Sequence, residues 1–118
     1  MITIEEDSFS VRKLLSNSNA NDPQSRYLNA WQRKVETIGF YETEKLKLNA
    51  DVTVTLKAVI DKDGEILEIS ILKSSGWREV DELAKMILTQ AAPFEAFDED
   101  MKLQYDSLEI VRDWNFYK

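Results

Sequence analysis

VTVTLKAVIDKDGEILEISILKSSG, residues 52–76, holds two runs of alternating residues separated by a turn. In the first, Val52, Val54, Leu56, Ala58 and Ile60 alternate with Thr53, Thr55, Lys57 and Val59. A period of two with one apolar face predicts a half-buried strand. Leu67, Ile69 and Ile71 repeat the pattern on the way back. Between them stands DKDG, Asp61 to Gly64, which closes a hairpin with Gly64 free to take positive φ. The same residues start like a calcium loop. Gly64, however, falls at the fourth place of that loop and Leu72 at the twelfth, where such loops need glycine sixth and a bidentate glutamate last. The turn is therefore the preferred reading, and KSSG ends the second strand at Gly76.

Downstream, Val80, Leu83, Ala84, Ile87, Leu88 and Ala91 recur at three and four, predicting a helix over Trp77–Ala92 with one face on a sheet. Glu79, Asp81 and Glu82 suit its positive N-terminal end. Pro93 stops it by disfavouring helical geometry at Ala92. PFEAFDEDMK reads as a loop with Phe94 and Phe97 tucked beneath it and a solvated acidic cluster at Asp98, Glu99 and Asp100. The chain then closes on a strand from about Asp106 to Phe116, with Leu108, Ile110, Trp114 and Phe116 on one face. Upstream, Tyr27, Trp31, Val35 and Ile38 share a face of a helix over Gln24–Ile38, with Asp22 and Pro23 at its start and Gly39 at its stop. At helical spacing Tyr27 and Trp31 read as packing residues rather than a binding surface. Met1–Asp22, with SNSNANDP inside it, reads as a tail or linker, leaving 23–118 as the domain.

The long helix carries the chain back across the sheet. The expected fold is thus α+β and two-layered: a three-stranded antiparallel sheet in the order 2-1-3, packed by one long helix, with an extra N-terminal helix. That order leaves the last strand at an edge. A hydrophobic edge strand is a liability unless it is covered or used. Covering would come from the tail or another subunit; use would be strand addition by an extended peptide.

Composition narrows the function. At 118 residues the chain is one domain, and its net charge of −7 with pI near 4.6 argues against nucleic acid and against an anionic membrane surface. With no cysteine and no histidine, thiol nucleophiles, thiolate zinc sites and histidine triads are excluded. The three glycines stand apart at 39, 64 and 76, so no glycine-rich phosphate loop occurs. No second catalytic group is placed beside any carboxylate, and an enzyme or a bound cofactor is not expected. There is no apolar run of about 18 residues to span a bilayer, and MITIEEDSF lacks the features of a signal peptide.

YLNAWQRKVETIG, VTLKAVIDKDGEILEISILKSSG, AKMILTQAAPFEAF and DSLEIVRDWNF together resemble the TonB C-terminal domain family, which takes in TolA-like energy transducers. The resemblance covers about Arg26 to Phe116. It implies a periplasmic, non-catalytic domain, tethered in the full-length protein by an inner-membrane helix and a proline-rich spacer. The domain would carry force from a proton-driven inner-membrane motor to an outer-membrane transporter, whose short N-terminal box peptide adds to the last strand. By position that strand is Leu108, Glu109, Ile110, Val111, Arg112, Asp113, Trp114, Asn115 and Phe116, with Tyr41 as a contact from the loop leading into the first strand. Two departures stand out. Tyr41 is followed by Glu42 where the family has proline, and the last strand reads RDW rather than RTW, which puts Asp113 on the face away from the core. With the membrane helix and spacer missing, an excised domain is expected. The alternative is an envelope adaptor or assembly domain of the same fold, including a strand-swapped homodimer.

Overall fold

The computed structural model describes residues 2–6 and 23–118, apart from the side chains of Glu5, Glu6 and Pro23. The elements in chain order are β1 (Ile2–Glu6), α1 (Pro23–Thr43), β2 (Val52–Asp61), β3 (Ile66–Lys73), α2 (Arg78–Ala91), α3 (Glu99–Gln104) and β4 (Ser107–Phe116). The fold is α+β, and the described residues form one four-stranded sheet in the order β1-β4-β2-β3 with every pair antiparallel. The predicted arrangement of the three later strands is present within it. A strand was missed, however: among the described residues the sheet has four strands, not three, and the fourth comes from the stretch read as tail. Of that stretch, Ile2–Glu6 forms β1, while Met1 and residues 7–22 lie outside the described residues.

The β2–β3 hairpin turns as its sequence requires. Gly64 has φ +89°, and the Asp61 carboxylate accepts from the N–H groups of Asp63 and Glu65, both at 2.9 Å. The side chain thereby replaces ladder bonds that the turn cannot make. β3 departs from its predicted pattern. Val59 opposes Glu68 and Ile60 opposes Ile66, so Leu67 is an extra residue; Leu56 opposes Ile71 and Thr55 opposes Lys73, so Leu72 is another. These two bulges turn Leu67 and Leu72 outward, and Ile66 takes the inward place expected of Leu67.

Two long helices, not one, cover the same face of the sheet. α1 lies on the β1 side and α2 over β2 and β3. Val35, Val54, Ile60, Val80, Ile87, Leu88 and Phe116 are fully buried between the layers. Leu83, expected to be buried, is only half so and faces a shallow groove with Leu46 and Met86. Gly39 does not stop α1, which runs on to Thr43. Its role is close approach: a Cβ there would stand 3.0 and 3.1 Å from Ile2 Cγ2 and Cδ1. The acidic loop contains α3, whose start is capped by Asp98 accepting from the Met101 N–H at 2.9 Å. Met101 is buried below it.

The start of α2 depends on one carboxylate. Asp81 is buried and accepts from Ser74 Oγ at 2.5 Å, Ser75 Oγ at 2.7 Å and Ser75 N at 2.9 Å. Burial opposes its charge, but these bonds, helped by Lys85, outweigh it and hold its pKa below the ordinary aspartate value. A depressed folded-state pKa adds stability that is complete above pH ~4 and is lost as pH falls through the lowered value. Asp81→Ala should cost about 1–3 kcal/mol at neutral pH, since the serine donors lose their acceptor. The cost should shrink in acid. A stability difference from wild type that stays constant from pH 7 to 2 in urea titrations would contradict this.

Candidate functional site

β4 lies in the middle of the sheet's β1-β4-β2 trio and presents two faces of different chemistry. Towards the helices it buries Leu108, Ile110, Trp114 and Phe116, each at 2 % exposure or less. The alternation predicted from sequence is therefore present. Arg112 shares that face, opposite Leu56, and is itself 3 % exposed; its Nη1 donates to Val111 O at 2.9 Å. The other face carries a polar ladder between β2 and β4. Thr53 donates to Asn115 and Thr55 to Asp113, both at 2.7 Å, and Lys57 sits 3.7 Å from Glu109 and 3.0 Å from Glu68. The bond that Lys57 donates to the Glu68 carboxylate holds the Lys57 pKa above its ordinary value. Val111 belongs to this face too, is buried, and stands apart from the main core.

The expectation that β4 is an edge strand is overturned. Ile2 opposes Phe116, Thr3 opposes Asn115, Ile4 opposes Trp114, Glu5 opposes Asp113 and Glu6 opposes Arg112. Apolar content explains the pairing: Ile2 and Ile4 are 6 % and 4 % exposed and join the same core as Trp114 and Phe116. β1 is in turn held from its far side. Gln32 Nε2 donates to Ile4 O at 2.9 Å, and Ile4 N donates to Glu36 Oε2 at 3.1 Å. Since the Ile4 backbone points at α1, ladder bonds to β4 fall on the neighbouring pairs, through Asn115 and Asp113. β1 thus lies in a slot with β4 as one wall and α1 as the other.

Tyr41 is not on a loop leading into the first strand. It sits in the last turns of α1, 63 % exposed, with its ring 5.6 Å from that of Phe40. A shallow depression of about 460 Å³ beside it is lined by Ile2, Arg33, Glu36, Thr37, Phe40 and Tyr41, and so adjoins one end of the slot. Tyr27 and Trp31 are packing residues, set against Phe97 at 5.2 Å and Phe94 at 6.1 Å. Burial pushes the Tyr27 pKa up, with Glu95 and Asp61 adding to it.

Sequence reasoning missed Ile2, Ile4, Gln32 and Glu36. The only signal for the strand is the three-residue alternation ITI, and nothing in the sequence sets Gln32 and Glu36 apart, since Asn29 and Arg33, or Arg33 and Thr37, lie four apart on the same helix.

No helix among the described residues is long and apolar enough to cross a membrane. Comparison with known proteins gave no match among curated proteins or solved structures. A family model described as TonB C terminal matches residues 24–111, from the start of α1 into the middle of β4. β1 and the part of β4 that pairs with it, from Arg112 onward, lie outside the matched span. With most of the chain matched, and with the β2–β3 hairpin, α2 and β4 in the order that the resemblance implied, the chain belongs to the TonB C-terminal domain family.

Proposed function

We propose that this chain is the periplasmic, non-catalytic domain of a TonB-like energy transducer. It grips an extended N-terminal peptide of an outer-membrane transporter by strand addition to β4. Force from a proton-driven inner-membrane motor reaches it through membrane and spacer segments of the full-length protein. The observation that supports this reading is the occupied outer edge of β4: five residues in extended form pair along it, from Ile2 opposite Phe116 to Glu6 opposite Arg112. An edge that accepts one antiparallel segment has the backbone geometry to accept another. For a partner to bind there, β1 must leave.

The test is a titration of the chain with transporter N-terminal peptides, followed by backbone amide shifts. Shifts should concentrate in residues 108–116 and in β1. Strand addition draws on main-chain bonds, and proline removes a donor. In a proline scan over Val111, Asp113 and Asn115, Asp113→Pro and Asn115→Pro should abolish peptide binding, because their backbone bonds face the added strand. Shifts confined to the Asp61–Gly64 turn or to α1 would overturn the reading.

A further inference from the structure

The slot between α1 and β4 is more than a place where a strand edge happens to be covered. It holds recognition groups on both walls. β4 supplies a ladder, which any extended chain can use. α1 supplies a side-chain acceptor and a side-chain donor for a single residue of the bound strand, Glu36 for the Ile4 N–H and Gln32 for the Ile4 carbonyl. One helix turn separates them, so together they mimic the backbone of a further strand. The floor is apolar and shaped. Ile2 sits against Gly39, where even a Cβ would press on it, and Ile4 is opposite Trp114. The intervening Thr3 faces away, its Oγ1 3.3 Å from the Tyr117 hydroxyl.

The occupant is also the least anchored strand of the sheet. β2 and β4 are in register over ten residues, Val52–Asp61 against Ser107–Phe116, whereas β1 pairs over five. Elements with few buried contacts open before the rest of a domain does.

We propose that this slot is a receptor for an extended peptide with β-branched aliphatic residues two positions apart, read through the backbone by Gln32 and Glu36, and that Ile2–Glu6 is its exchangeable intramolecular occupant. The proposal rests on β4 being the peptide strand and adds the α1 wall, the side-chain pattern and the internal competitor. The second aliphatic residue of an incoming peptide must keep its N–H, so proline is excluded there. An acidic wall at Glu36 also disfavours a carboxylate at that position.

The probe is a fluorescent peptide of residues 1–7, Met-Ile-Thr-Ile-Glu-Glu-Asp, added to the full chain. Wild type should bind it weakly, because the internal copy competes. Ile4→Asp expels the internal strand and should tighten binding at least about tenfold. Adding Gln32→Met and Glu36→Ala to that variant should weaken it again by about tenfold or more, the scale of one charge-assisted hydrogen bond. A probe with proline in place of the second isoleucine should not bind. The proposal is overturned by an Ile4→Asp chain that unfolds cooperatively yet binds no probe, and equally by binding indifferent to Gln32 and Glu36. If Ile4→Asp fails to fold, hydrogen exchange in the wild-type chain decides. Amides of Thr3, Asp113 and Asn115 should exchange faster than those of Leu56 and Ile110, and exchange of all five only through global unfolding overturns it. A concentration-dependent dimer holding β1 in trans overturns the intramolecular assignment. Probe binding without any transporter peptide binding would refute the transducer reading and leave the slot. Transporter peptides that bind at the outer edge of β3 would refute both the slot and strand addition to β4, and leave only the transducer role.

Discussion

Trp114→Ala is expected to destabilise the domain by about 3–5 kcal/mol, the range for emptying a large aromatic site in a core. Trp114 is 1 % exposed and stands opposite Val54 on one neighbouring strand and Ile4 on the other. Its loss opens a cavity that spans the junction of β1, β4 and β2, so the damage should not stay local. β1 should unseat first, since Ile4 loses the ring it packs beside. Asn115→Ala, one residue on and facing the other way, removes a hydrogen bond from Thr53 and should cost only ~1 kcal/mol. Urea denaturation of the two variants provides the measurement. A Trp114→Ala midpoint shift no larger than that of Asn115→Ala would show that β4 is not held by its helix-facing side.

Gly64→Ala should cost roughly 2–5 kcal/mol: ~1–2 for a side chain in left-handed geometry, and about 1–3 for forcing atoms into filled space. A Cβ at Gly64 would stand 2.0 Å from the Phe94 carbonyl oxygen and 2.7 Å from its carbon. Those are backbone atoms and cannot swing aside. The segment they belong to is fastened to the hairpin by Phe94 N to Gly64 O and Phe97 N to Lys62 O, both 2.8 Å. To make room, the segment must retreat and draw Phe94 and Phe97 away from Trp31 and Tyr27. Gly76 provides the control. Its φ is +90°, yet nothing lies within 4 Å of where its Cβ would be. Gly76→Ala should therefore cost only the conformational part. Equal losses in the two variants, measured by chemical denaturation, would refute the collision.

What could be read in the sequence was what local pattern determines. The alternation of Val52–Ile60 and the DKDG turn specify a hairpin because strand, turn and return lie within 25 residues. The Val80–Ala91 stripe specifies α2, and Pro93 its end. Even the order of the last three strands followed, because a helix returning the chain constrains it. The fourth strand could not be read this way. ITIEE contains two isoleucines, its partner lies more than a hundred residues away, and the polar segment behind it resembles a linker. Gly39 was misread because glycine signals both a helix end and a close approach, and only the position of Ile2 distinguishes them. The bulges at Leu67 and Leu72 follow from pairing register, which a single strand does not carry. As for the site, the faces of Leu108–Phe116 were legible from their period of two. What occupies the strand's outer edge was legible only as one of two alternatives, cover by the tail or another subunit against an added peptide, since the choice depends on a non-local partner.

The bulges of β3 bear on how the molecule behaves when crowded. The outer side of β3 is the sheet's remaining strand edge not faced by another described element of the sheet, and it carries exposed Leu67 and Leu72. A straight apolar edge of that kind would let copies zip together into an extended ribbon. Here the register runs unbroken only from Glu68 to Ile71, with an extra residue and a bend at either end. Four residues, one of them a charged glutamate, are too short a template for edge-to-edge growth. An edge broken in this way is expected to be a poor template for fibrillar self-association at the sheet's far side.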